Sequence, residues 1–186
     1  ALLADVAAYE GLSGPQLTRL EALDASSLAS SMIVGTEGGG LEGQHLFEPA
    51  PNLIFTRDLA AVVGQTIVVG NANKAARRRE TMLAWAVFEG HPMFGEARIA
   101  QSSTRVHQAG GSTPLTIEGG DVLVVSERLV AIGASERTSW AMIIRLAPEL
   151  LDQGVERVLV VEMPKQRSSM HLDTVFTLAD RDVGVL

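Results

Sequence analysis

Cysteine is missing from all 186 residues. That excludes disulfides, thiolate metal sites and a cysteine nucleophile within this stretch. Long apolar runs are missing too. None approaches the roughly 18 residues that spanning a bilayer requires, and no signal-peptide pattern is present, so no membrane partner is expected. Basic charge is also in short supply: 15 Lys and Arg stand against 22 Asp and Glu, for a net charge of −7. An acidic chain makes a poor nucleic-acid partner, because phosphate contacts dominate that affinity. It suits a cytoplasmic enzyme and mildly favours cationic substrates.

What remains is a chain 46% hydrophobic and 20% charged, enough for one compact domain with a core and a small appendage. It starts at Ala1 instead of Met and stops at Val183-Gly184-Val185-Leu186, inside a strand-like run. We therefore expect a piece of a longer polypeptide. Residues 1 to about 34 carry helical periodicity through Leu17, Leu20, Leu23 and Leu28, with Ser13 placed to cap a helix. Glu37-Gly38-Gly39-Gly40-Leu41-Glu42-Gly43 then reads as a flexible connector, ahead of Pro49 and Pro51. No strand precedes these glycines and no Lys-Ser/Thr follows, so they do not form a phosphate loop. The chain divides on this reading into a helical segment with its linker, 1–45, and a second domain, 46–186.

From Asn52 onward the pattern repeats. Asp58 and Asp121 each lead into an apolar run, a turn and a second apolar run that closes on a glycine twelve residues later, at Gly70 and Gly133. Each reads as a strand, a tight turn and a returning strand. A helix follows each hairpin, from Ala75 to about Glu89 and from Glu136 to about Gln153, and then a further strand, near Arg98–Gln101 and Arg157–Glu162. Asp173 begins a third copy. A β-β-α-β unit recurring about every 50 to 65 residues predicts an α/β fold built by radial repetition of one unit.

Acids cluster where these units begin. Met170-His171-Leu172-Asp173-Thr174-Val175-Phe176 places a histidine and a carboxylate two apart at the head of a strand-like run, which predicts that both leave one face. Asn52-Leu53-Ile54-Phe55-Thr56-Arg57-Asp58 and Ile117-Glu118-Gly119-Gly120-Asp121 have a similar layout. Buried carboxylates need partners, and a cationic ligand shared among several is the simplest common cause. His45, His91 and His107 have no motif around them and read as surface or loop residues. Trp85, Phe88, Met93 and Phe94 read as core packing, and Ser135-Glu136 as a cap for the second helix.

Five segments in this order carry a resemblance: Pro51-Asn52-Leu53-Ile54-Phe55-Thr56-Arg57-Asp58, Arg77-Arg78-Arg79-Glu80-Thr81, Ile117-Glu118-Gly119-Gly120-Asp121, Ser135-Glu136-Arg137-Thr138 and Met170 to Phe176. Together they resemble the arginine deiminase family. The resemblance implies the α/β-propeller of guanidino-group-modifying enzymes, here partial, with the end of a helical insertion at the N-terminus. It implies that Asp58 and Asp173 grip the guanidinium nitrogens of L-arginine, that His171 transfers protons, and that Glu118 orients His171. Arg77 and Arg137, with Asn52 and the Phe55 region, would hold the α-carboxylate. The family's cysteine nucleophile would lie beyond Leu186.

No cofactor and no metal is expected, and association with a second copy or with the rest of the polypeptide is. The alternatives are amidinotransfer or dimethylarginine hydrolysis on the same fold, and a non-catalytic remnant that binds arginine or a partner chain.

Overall fold

The computed structural model describes residues 1–100 and 115–186. They form two compact units, Ala1–Ile54 and Phe55–Leu186. The sequence places His107 and the end of the strand near Gln101 outside the described residues.

The first unit is helical: α1 (Leu2–Glu10), α2 (Gly14–Glu21) and α3 (Ala25–Val34). Ser13 is the N-cap of α2, and the Gln16 amide oxygen accepts hydrogen bonds from the Ser13 backbone N–H at 2.9 Å and hydroxyl at 2.7 Å. Asp24 caps α3 by accepting from the N–H groups of Ser26 and Ser27. The glycine-rich segment is not the flexible connector its composition suggests. Thr36 and His45 form a β-bridge, Glu37 N–H donates to the Gln44 carbonyl, and Gly38 N–H donates to the Ser31 hydroxyl. Arg19 adds an ion pair to Glu37 at 2.7 Å. A loop whose backbone groups are paired this thoroughly has little freedom left, whatever its glycine content.

The second unit repeats one motif. After a short helical turn, α4 (Thr56–Leu59), strands β1 (Ala60–Val63) and β2 (Thr66–Val69) pair antiparallel. Helix α5 (Arg78–Gly90) then crosses to β3 (Arg98–Ile99), which lies parallel to β2. The second copy consists of β4 (Val122–Ser126), β5 (Leu129–Ala134), α6 (Trp140–Asp152) and β6 (Arg157–Glu162), again an antiparallel pair followed by a parallel one. The third hairpin is β7 (Thr177–Asp180) with β8 (Val183–Val185). Among the described residues these are three separate sheets, in the orders β1-β2-β3, β4-β5-β6 and β7-β8.

The near-continuous apolar run of β5 follows from burial on both faces, whereas β4 is buried only at Val122 and Leu123. Val122, Val130 and Ile132 pack with Ala61, Val63 and Val68 and with Met142, Ile143, Leu146 and Leu150 of α6. Leu123 and Ala131 turn the other way, onto Met163 and Leu172. Pro148 sits inside α6 and removes the bond its N–H would have made to Ile144. Ile144 is on the exposed face, where water can solvate the freed carbonyl.

Three expectations need correction here. Helix α6 starts at Trp140, capped by the Ser139 hydroxyl, because Ser135 is held elsewhere. Met93 is 78% exposed and is not core, and Phe88 and Phe94 are only half-buried, stacked edge-on at 4.9 Å between centroids, whereas Trp85 is buried. His45 and His91 are exposed, as their lack of a motif suggests. Among the described residues, no helix is long and apolar enough to cross a membrane.

Candidate active site

The start of each repeat delivers one acidic or basic group to a common cluster. Asp58 comes from α4, Glu118 from the extended residue before the tight turn Gly119–Asp121, and His171 from the residue before a second such turn, Leu172–Thr174. One ligand atom from each lies within 4.8 Å of the other two. His171 Nε2 bonds Glu118 Oε2 at 2.9 Å, and its Nδ1 faces Asp58 Oδ1 at 3.6 Å.

Strand alternation does not bring His171 and Asp173 together. The segment is a 3₁₀ turn, pinned by the Thr174 hydroxyl to the His171 carbonyl and by Leu172 N–H to Asp121 Oδ1. It buries Leu172 and leaves the Asp173 carboxylate half-buried beside Arg57, with Nε to Oδ2 at 3.4 Å. Arg57 also donates from Nη2 to the Val122 carbonyl at 2.8 Å, so it ties Asp173 to the second repeat.

Two guanidinium groups complete the cluster. Arg77 is buried and donates from Nη1 to Asp58 Oδ2 at 2.8 Å and to Glu118 Oε2 at 3.2 Å, and from Nε to Glu80 at 2.9 Å. Arg137 Nη1 reaches Glu118 Oε1 at 3.3 Å, while its Nη2 rests against the Met170 sulfur at 3.9 Å. Two buried N–H-bearing atoms, Arg77 Nη2 and Arg137 Nε, have no hydrogen-bond acceptor among the described residues. Buried donors without acceptors are costly, and an incoming anionic oxygen would satisfy them.

Of the remaining predicted residues, Phe55 is 57% exposed at the start of this unit, and Asn52 belongs to the first unit. Gly120 is required by contact: a Cβ there would lie 2.8 Å from His171 Cγ and Nδ1. Sequence reasoning missed the fully buried Glu80 as a partner of Arg77, and Asp121, Ser135 and Thr138 as a buried polar group. The only local signal for Glu80 was its three-residue spacing from Arg77.

Asp58, Glu118 and His171 could also serve as ligands to a divalent cation. Arg77 Nη1 already bonds two of the three, so the cation these carboxylates hold here is a guanidinium.

Burial works against charge on both members of the central pair, and the neighbours outweigh it. The His171 hydrogen bond and the charges of Arg137 and Arg77 hold Glu118 below the usual carboxylate range. The Glu118 bond and the charges of Glu118, Asp58 and Asp121 raise His171 above its ordinary 6.5. Both shifts favour an imidazolium facing a carboxylate. Burial raises Asp173 and Asp121 instead.

These shifts predict how stability varies with pH. A raised His171 contributes fully below its unfolded value of 6.5, and that contribution is lost as pH rises through the folded value. A depressed Glu118 contributes fully above its unfolded 4.5 and loses its share as pH falls. The pair is fully effective between about 4.5 and 6.5. Asp121 and Asp173, both raised, act in the same sense as His171 and opposite to Glu118, with a contribution that shrinks as pH rises from 3.8. Urea midpoints measured across pH should fall above 6.5 in the wild type and lose that fall in His171→Gln. An unchanged slope in the variant would refute the assignment.

Comparison with known proteins decides the family. The family model of arginine deiminase matches residues 29–186. The chain belongs to the arginine deiminase family. Curated family members are close in sequence: the arginine deiminase of Listeria monocytogenes serotype 4b (strain CLIP80459) is 43% identical over 135 residues, covering 72% of this chain and 32% of that protein. The arginine deiminase of Bacillus cytotoxicus is 41% identical over 137 residues, covering 73% and 32%. The chain thus matches about a third of the length of these family members.

Solved structures agree at the level of fold. A dimethylarginine dimethylaminohydrolase adduct with S-methyl-L-thiocitrulline superposes with a TM-score of 0.50 at 20% identity, covering 76% of this chain and 50% of that one. SxtG, an amidinotransferase from Microseira wollei, superposes at 0.51 and 19% identity, covering 73% and 42%. The chain therefore has an α/β fold like that of these dimethylaminohydrolase and amidinotransferase structures.

Proposed function

We propose that this chain supplies the substrate-gripping and proton-transferring part of an arginine deiminase, which hydrolyses L-arginine to L-citrulline and ammonia. The observation that carries the reading is the Arg77 guanidinium bonded between Asp58 and Glu118. A site that holds one guanidinium through charge-assisted bonds has the chemistry to recognise another. Asp58, which keeps Oδ1 on the His171 side, and Asp173 take the guanidinium nitrogens of the substrate. Arg137 and Arg77, through the unpaired Nε and Nη2, take its α-carboxylate, and Asn52 and Phe55 are assigned to that end of the substrate by the family resemblance alone.

Glu118 fixes His171 through Nε2, which leaves Nδ1 to pass a proton to departing ammonia and to take one from water. A cysteine outside these 186 residues attacks the guanidinium carbon and forms a covalent intermediate, which that water releases as citrulline. No metal or organic cofactor takes part. The architecture that goes with this reading is a partial α/β-propeller over 46–186, preceded over 1–45 by a helical segment and its ordered glycine-rich loop. The protein is cytoplasmic, and it pairs with a second copy or with the remainder of the polypeptide.

The product of the complete reading frame, given L-arginine, should release citrulline and ammonia in equal amounts. Turnover of dimethylarginine to dimethylamine, or transfer of the amidino group to an amine, with no citrulline from arginine, would overturn the substrate assignment. Binding of arginine without any turnover would favour the non-catalytic reading.

A further inference from the structure

We infer that Asp121 is the positioning residue of the site: one fully buried carboxylate that sets the placement of Glu118, Arg137 and His171 at once. It touches none of the groups assigned to substrate. Its Oδ2 accepts from the Ser135 and Thr138 hydroxyls, each at 2.6 Å, and its Oδ1 accepts from Leu172 N–H at 2.9 Å. Each partner leads to a different arm of the cluster. The Ser135 oxygen accepts from Arg137 N–H at 2.9 Å and Thr138 N–H at 3.1 Å, which shapes the loop that projects the Arg137 side chain. The Thr138 oxygen accepts from Glu118 N–H at 3.2 Å, three residues ahead of Asp121 itself. Leu172 lies between His171 and Asp173, so its N–H fixes the turn that carries both.

Only an acceptor pair suits this node. Both hydroxyls spend their hydrogens on Asp121 and their lone pairs on backbone N–H groups, so neither can reverse its role. Gly133 confirms how closely the carboxylate is enclosed, since a Cβ there would stand 2.5 Å from Asp121 Oδ1. A carboxylate buried to this extent needs donors, and three face it. The three site segments come from residues 118, 135–138 and 171–173, so one side chain joins parts of the chain up to 51 residues away.

The inference rests on the deiminase reading for its activity arm, and a second arm stands apart from it. Asp121→Asn puts an amide where two hydroxyls need an acceptor, and it can fail to fold. Thr138→Val keeps the shape and deletes one link, while Thr138→Ser keeps the hydroxyl.

In the complete gene product, Thr138→Val should lower kcat/KM for arginine about 10²-fold, the scale of a misplacement near 1 Å. Thr138→Ser should retain most of the activity, with both variants folded at the assay temperature. In the chain itself, Thr138→Val should shift the His171 ring-nitrogen and Arg137 Nε–H resonances together, and Thr138→Ser should leave them in place. Equal losses in Val and Ser that track their unfolding midpoints, or resonances unmoved in Val, would overturn the positioning role. A wild type that makes no citrulline would refute the deiminase reading alone, and the resonance arm would still decide this one.

Discussion

Glu118→Gln should be the most destabilising single substitution among the ionised groups, lowering the unfolding free energy by about 3–5 kcal/mol. Glu118 is 1% exposed and accepts from three cationic side chains, His171, Arg77 and Arg137. Neutralising it leaves Arg137 Nη1 without its carboxylate and His171 Nε2 facing an amide, within a largely buried cluster. Arg77 suffers less, because Asp58 and Glu80 still bond it.

The loss is large against the roughly 5–15 kcal/mol that holds an ordinary domain together. The contrast lies on the surface. Arg128 and Glu156 form an ion pair at 3.3 Å with both side chains more than half exposed, and Glu156→Gln should cost no more than about 1 kcal/mol. Urea unfolding of both variants between pH 4.5 and 6.5, where the central pair is fully charged, makes the comparison. A Glu118→Gln loss no larger than that of Glu156→Gln would mean the cluster is wetter than its burial indicates.

How much of this was legible in the sequence depended on the range of the interaction. The hairpins were legible because an aspartate, two apolar runs and a closing glycine recur at fixed spacing, and β1–β2 and β4–β5 form where that spacing places them. The capping of α2 by Ser13 was legible for the same reason, being settled within four residues. The turn at His171 was not. A histidine and an aspartate two apart are compatible with a strand or a 3₁₀ turn, and the bond from Leu172 N–H to Asp121, 51 residues earlier, selects the turn.

The start of α6 went the same way. Ser135 has the residue type of a cap, yet its hydroxyl is held by Asp121, and Ser139 takes the capping role. Composition misled at the glycine-rich segment, where pairing with Ser31 and Gln44 orders a stretch that reads as a linker. Local pattern therefore located the acids, while the guanidinium placed among them and the carboxylate behind them came from contacts that no short window contains.

His171→Ala should abolish citrulline formation in the complete gene product, a loss of about 10²–10⁴-fold or more, while arginine binding is partly kept. The asymmetry follows from what His171 touches. Its ring bonds Glu118 and faces Asp58, and it is not among the groups proposed to take the guanidinium nitrogens or the α-carboxylate. Removing it takes away the proton carrier and leaves those contacts standing.

Asp58→Ala should behave differently and damage binding as well as turnover, because it deletes a charge-assisted acceptor worth roughly 1.5–3 kcal/mol and leaves Arg77 Nη1 with Glu118 alone. The pH dependence adds a second signature. His171 is held above its ordinary 6.5 by Glu118, so the limb of kcat/KM that reports its deprotonation should move to lower pH when Glu118 is neutralised. Isothermal titration with L-arginine, alongside steady-state kinetics for His171→Ala and Asp58→Ala, separates the two losses. Near-normal turnover in His171→Ala would remove the imidazole from the mechanism and leave the cluster as a binding site only.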